Sequence, residues 1–212
     1  MTALDQDLQE IAGETVRMLS LVREECDLAR MALIDGDVAA GERCVAADLR
    51  IDELQEGLER RILTVIARRQ PAARDLRFLG AMYRALADIE RAGDYAVHVA
   101  KSAILLAGKP PVKKYLDMGR ILQVLIAMLE VTSKALAESD AGAARRALAM
   151  DNEIDDLYEQ IQRELLSFMI ADASRIGPGI ELLAVGRYLE RLGDHIENVN
   201  EHLIFWLTNE RL

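Results

Sequence analysis

The chain has 212 residues and a formal charge of −10, and half of it (51%) is apolar although only 4% is aromatic. The acidic balance excludes a general nucleic-acid binder and disfavours a broad basic face resting on anionic lipid, because both need a positive surface. An apolar content carried by Leu, Ile, Val, Ala and Met favours packed helices over sheets, which draw on β-branched and aromatic residues.

The N-terminus opens Met1-Thr2-Ala3-Leu4-Asp5-Gln6-Asp7, with no basic stretch before an apolar core, so it does not read as a secretory signal. Six long segments with helical periodicity follow, over 4–34, 38–69, 74–107, 113–138, 141–171 and 179–209. Turn chemistry separates them: Asp35-Gly36-Asp37, Pro71, Gly108-Lys109-Pro110-Pro111, Ser139-Asp140-Ala141-Gly142 and Gly177-Pro178-Gly179. Asp37 and Asp140 are placed to cap the second and fifth helices. The third helix carries Leu79, Met82, Leu86, Ile89, Gly93, Ala96, Ala100 and Ala103 at alternating steps of three and four. The sixth does the same with Leu182, Val185, Leu189, Leu192, Ile196, Val199, Leu203 and Trp206. Such seams belong to antiparallel bundles. Cys26 and Cys44 fall inside helices, without the spacing of a zinc site, and read as small core hydrophobes. The most apolar run, Ile121 to Leu129, is nine residues long and far short of a membrane span, so a cytoplasmic location is expected.

The chain states one motif twice. Glu90-Arg91-Ala92-Gly93-Asp94 returns as Glu190-Arg191-Leu192-Gly193-Asp194, an offset of 100. Asp37, Asp48, Asp52 and Leu54 return as Asp140, Asp151, Asp155 and Leu157, an offset of 103. The fold class expected is therefore all-α: a tandem repeat of two antiparallel three-helix bundles, over residues 1–108 and 109–212.

The repeated residues form four carboxylate pairs at i,i+4: Asp48/Asp52, Glu90/Asp94, Asp151/Asp155 and Glu190/Asp194. Like charges at that spacing share a helix face and cost a few tenths of a kcal/mol per pair. In an antiparallel pair, residues equally far from the turn lie level. The first two pairs are centred on Pro71 and the second two between positions 172 and 173, so each quartet comes out level on adjacent helices. On a helical wheel with Glu190 at zero, Asp194, Glu197 and Glu201 fall within about 40° of it, and the apolar seam is centred about 130° away. The acidic stripe thus lies at the edge of the packed face or on the surface. A bound cation would relieve the crowding, and oxygen-only ligation suits Mg²⁺, Mn²⁺, Ca²⁺ or iron. His98, four residues after Asp94, offers an additional nitrogen ligand. The alternative is a solvated acidic face helped by Arg91 and Arg191. Gly93 and Gly193, each costing about 1 kcal/mol against Ala inside a helix, imply close approach by a neighbouring helix. His195 and His202 point away from the acidic stripe and read as flank histidines. Arg68, Arg69, Arg74 and Arg77 cluster round Pro71, either as a solvated helix end or as a docking patch for an acidic partner.

These residues resemble the PhoU family of phosphate-signalling regulators. The resemblance is carried by D-x-x-x-D on the second helix of each half and E-R-x-G-D on the third. It is carried also by Pro71-Ala72-Ala73-Arg74-Asp75-Leu76-Arg77-Phe78, similar to the family's Asp-Leu-Arg segment. The second half departs from that segment at Arg175-Ile176-Gly177-Pro178-Gly179. The resemblance implies a cytoplasmic, non-enzymatic adaptor that holds iron, zinc or similar multinuclear clusters through Asp48, Asp52, Glu90, Asp94, Asp151, Asp155, Glu190 and Asp194. It implies negative regulation of phosphate uptake by a Pst ABC transporter and of a PhoR-type sensor histidine kinase. The partners implied are the transporter's ATPase subunit and the kinase, with the membrane approached only through them and a homodimer left open. Two other functions compete: an accessory protein of a Pit-type phosphate transporter, and a carboxylate-bridged metal enzyme. The second lacks the Glu-x-x-His pattern such sites use.

Overall fold

The computed structural model describes residues 2–210. The helices follow the periodicity closely: α1 (Ala3–Ile34), α2 (Val38–Ala47), α3 (Leu49–Arg69), α4 (Ala73–Leu106), α5 (Leu116–Glu138), α6 (Ala141–Ala171) and α7 (Ile176–Thr208). No strand occurs among the described residues. Asp37 and Asp140 cap as expected. The Asp37 carboxylate accepts from the Ala40 N–H at 3.0 Å, and that of Asp140 from Gly142 and Ala143 at 2.8 and 3.0 Å.

Three boundaries differ from the sequence expectation, one of them the start of α5 at Leu116 rather than at 113. The second helix is not continuous over 38–69 but is interrupted at Asp48, where the N–H of Ile51 turns to the Asp48 carbonyl at 2.8 Å. Asp48 keeps helical dihedrals (φ −51°, ψ −42°), so no glycine or proline marks the break. The last helix begins three residues early and absorbs Gly177-Pro178-Gly179 into its first turn, after a 3-10 turn over Ala173–Arg175. Proline is tolerated there because the first N–H groups of a helix have no intrahelical acceptor.

Both seams are buried along their whole length, from Leu79 to Ala103 on α4 and from Leu182 to Trp206 on α7. Each buried Leu or Ile contributes about 1.5–3 kcal/mol. Helices α1, α4, α7 and α5 pack in a closed ring, α1 against α4, α4 against α7, α7 against α5 and α5 against α1. The α2–α3 arm flanks α1 and α4, and α6 flanks α5 and α7. Phe78 of α4 meets Trp206 of α7 edge-on at 4.8 Å between ring centroids, joining the halves at one end. Cys26 and Cys44 are free thiols in the core. No helix among the described residues is long and apolar enough to cross a membrane.

Candidate metal centre

In the second half, α6 presents Asp151 and Asp155 while α7 presents Glu190, Asp194 and Glu197. One carboxylate oxygen from each of Asp151, Asp194 and Glu197 lies within 4.8 Å of the others. Asp151 is buried, and its carboxyl is pushed up to about 7, first by burial and then by Glu197, Asp155, Asp194 and Glu190. Burial, followed by neighbouring acids, likewise raises Asp155, Glu190 and Glu197 above the usual carboxylate range. Asp151 Oδ1 and Glu190 Oε2 are buried with no hydrogen-bond partner. Arg191 supplies the nearest positive charge, 3.4 Å from Glu190 and 2.9 Å from Asp194.

The first half brings Asp48, Asp52, Glu90 and Asp94 into one electrostatic cluster. Asp48 and Glu90 are both raised, chiefly by burial and then by the other acids. Lys101 and His98 partly relieve Asp48, and Arg91 partly relieves Glu90. Arg91 stands as its counterpart does, 3.7 Å from Glu90 and 3.3 Å from Asp94. A fifth acid, which the sequence did not single out, feels the charges of this cluster from α1. Glu25 of α1 is buried, both its oxygens lack a hydrogen-bond partner, and its carboxyl is pushed up to about 8. Burial is the main cause, followed by Asp48, Asp52 and Asp94. One signal could have found it. Glu25 sits in the α1 stripe with Met18, Val22, Ala29 and Ala32, positions that are otherwise core.

Neighbouring helices approach the motif glycines closely, as expected, and the side chains nearest them include these buried acids. A Cβ on Gly93 would stand 3.0 Å from Glu25 Oε2 and 3.2 Å from Ile51 Cδ1. A Cβ on Gly193 would stand 2.5 Å from Asp151 Oδ1 and 3.2 Å from Ile154 Cδ1.

The histidines have neighbours that the sequence did not reveal. His195 and His202 donate to the half-buried Asp88 carboxylate at 2.9 and 3.2 Å, and the Asn198 amide joins them at 3.2 Å. Asp88 lies on α4 and the three donors on α7, so this network ties the halves together. Burial alone would raise Asp88, but the three hydrogen bonds outweigh it and hold the carboxyl well below its usual range. His98 is exposed and lies against rings, 5.1 Å from Tyr188 and 6.0 Å from Tyr95. It also acts as a charge on Asp48. Of the arginines at the Pro71 turn, Arg69 bonds Asp7 at 3.0 Å. Arg68 and Arg74 are exposed, and Arg77 and Arg84 line a cleft of about 660 Å³ between α4 and α7.

The second-half donor set fits a hard cation: oxygens of Asp151, Asp194 and Glu197 converge from two helices, and that of Asp151 is buried without a donor, while the first-half acids act on one another as charges.

Seven helices, four before the central linker and three after it, with a group of mutually raised acids in each half, define an all-α protein of tandem repeats. The PhoU domain description matches residues 15–103 and 118–203, and the chain belongs to the PhoU family. It is 39% identical over 209 residues to the phosphate-specific transport system accessory protein PhoU homolog of Deinococcus radiodurans, covering 99% of this chain and 98% of that one. The like-named protein of Aquifex aeolicus is 35% identical over 188 residues, covering 89% and 85%. Among solved structures, PhoU from Pseudomonas aeruginosa superposes with a TM-score of 0.93 at 29% identity, covering 97% of this chain and 99% of that one. The phosphate transport system regulatory protein PhoU from Streptococcus pneumoniae superposes with 0.91 at 25% identity, covering 99% of both.

Proposed function

We propose that this chain is a phosphate-responsive adaptor that restrains uptake by a Pst-type ABC transporter and quiets the associated sensor histidine kinase. It does so from the cytoplasmic side, through contacts with the transporter's ATPase subunit and the kinase. The relatives named as accessory proteins of phosphate-specific transport support the Pst system over a Pit-type transporter. Cation binding at the two acid clusters is part of this reading, and one observation carries it: buried carboxylate oxygens without a donor recur in both halves. Leaving a carboxylate buried and unpaired is unfavourable, and a divalent ion with an all-oxygen donor set relieves it. Iron, manganese and magnesium suit these donors. In the first half Asp48, Asp52, Glu90 and Asp94 would hold the ion, in the second Asp151, Asp155, Glu190 and Asp194 with Glu197.

Docking on an acidic partner segment is assigned to the basic end round Pro71. Of the arginines there, Arg68, Arg74 and Arg77 form no salt bridge among the described residues, while Arg69 pairs with Asp7.

Elemental analysis of protein purified without chelator or affinity metal tests the cation reading. Glu90→Ala/Asp94→Ala and Glu190→Ala/Asp194→Ala should each lose the metal of one half while remaining folded. Unchanged metal content in both would overturn it. The regulatory reading fails if deleting the gene leaves phosphate uptake and phosphate-responsive transcription unaltered.

A further inference from the structure

The two acid clusters are not copies of each other, and the difference lies at one spot. Beside the motif glycine of the second half stands the carboxylate of Asp151, on α6, next to Ile154. The repeat offset of 103 makes Asp48 and Ile51 the first-half equivalents of Asp151 and Ile154. Ile51 does stand against Gly93, as Ile154 stands against Gly193. Asp48 does not. It sits half-buried at the break between α2 and α3, and the space beside Gly93 holds the carboxylate of Glu25 instead. The same offset carries Glu25 onto Met128, a fully buried core residue of α5.

We infer that Glu25 is an interior cation ligand of the first-half cluster, supplied from α1 in place of the role Asp151 has in the second half. This rests on the proposed cation binding and adds a ligand, from a third helix, that the paired acidic motifs do not contain. Glu25 is 1% exposed, and neither oxygen meets a donor or an acceptor. Protonation would not satisfy it either, since a carboxyl O–H would then need an acceptor. Its carboxylate lies against the stretch of α4 that carries Glu90 and Asp94, where a Cβ on residue 93 would crowd it at 3.0 Å. A purely structural acid would have been matched with a lysine, arginine or backbone N–H, the usual condition for burying such a group. The second half obtains its additional acid differently, from Glu197 of α7, whose equivalent at an offset of 100 is Val97.

The test uses the full chain with the second-half cluster removed by Glu190→Ala/Asp194→Ala, stripped with chelator and titrated with Mn²⁺. Bound metal is read by elemental analysis and by the Mn²⁺ spin-resonance signal. Adding Glu25→Gln, which keeps shape, or Glu25→Met, the residue found at position 128, should weaken Mn²⁺ binding roughly tenfold or more, a loss of the order seen on disturbing a metal site. The metal-free melting temperature should not fall in either variant, and the rise produced by Mn²⁺ should be lost. Unchanged Mn²⁺ stoichiometry and affinity in Glu25→Gln, where Glu90→Ala/Asp94→Ala abolishes binding, would overturn the role of Glu25 and leave the cation reading intact. Absence of Mn²⁺ binding in the background protein itself would overturn both.

Discussion

In the second half the carboxylate beside the motif glycine comes from an unbroken helix, α6, whereas in the first it comes from α1 and the corresponding helix is broken at Asp48. Around that spot the halves agree: the same isoleucine position, the same glycine, the same arginine bridging Glu and Asp of the motif. Both halves therefore hold a carboxylate beside the motif glycine, but on helices that do not correspond. A requirement for charge at a place is easier to keep than a requirement for one residue. The halves also differ in what compensates the acids, since Lys101 and His98 act on Asp48 while the matching positions in the second half are Glu201 and Asn198. The second cluster is thus the more anionic.

The largest expected difference between the halves appears with pH in metal-free protein. Glu25 rises from 4.5 to about 8 on folding and Asp151 from 3.8 to about 7. A raised carboxyl favours the fold while protonated, so its contribution is present below the unfolded value and disappears as pH climbs to the folded one. Stability in chelator, measured by urea denaturation, should fall by a few kcal/mol relative to Glu25→Gln between about pH 5 and 8. Relative to Asp151→Asn the fall should finish about one pH unit earlier. Coincident pH profiles for the two variants would erase the comparison.

Next in size is the link between halves. Asp88→Ala leaves His195, His202 and Asn198 without their shared acceptor, and a loss of about 1–3 kcal/mol in the same assay is expected. Its double mutant with His195→Ala should lose less than the sum of the two single changes.

The glycines separate close packing from acid accommodation. Gly193→Ala should cost more than Gly93→Ala, because the added Cβ meets its carboxylate at 2.5 rather than 3.0 Å. In backgrounds already carrying Asp151→Ala or Glu25→Ala, the cost of each substitution should shrink to the balance between the isoleucine contact at 3.2 Å and a gain of up to about 1 kcal/mol in helix propensity. An unchanged cost would return the glycines to simple helix packing.

Smallest are the bridging arginines. Arg91→Ala and Arg191→Ala remove exposed ion pairs and should each cost less than about 1 kcal/mol. The loss should be larger for Arg191, whose neighbours are the more anionic, and should shrink when Mn²⁺ is added.

Much of this architecture was legible in the residues because it is local. Periodicity and turn chemistry placed six helical segments, and the doubled motifs picked out acids that raise one another's carboxyls within each half. What could not be read depended on neighbours distant in sequence. Glu25 has no repeat partner to announce it, and only its intrusion into a buried stripe hinted at a role. His195 and His202 looked like flank residues because their acceptor, Asp88, lies more than a hundred positions away on α4. The break at Asp48 left no mark because the backbone there stays helical.

The contact between Phe78 and Trp206 gives the molecule a built-in optical probe. Trp206 is the chain's single tryptophan, and its partner ring belongs to the other repeat. It stands about 18 Å along α7 from Asp194. Its fluorescence will therefore register α4 and α7 coming apart, and events confined to either acid cluster must be followed by another signal.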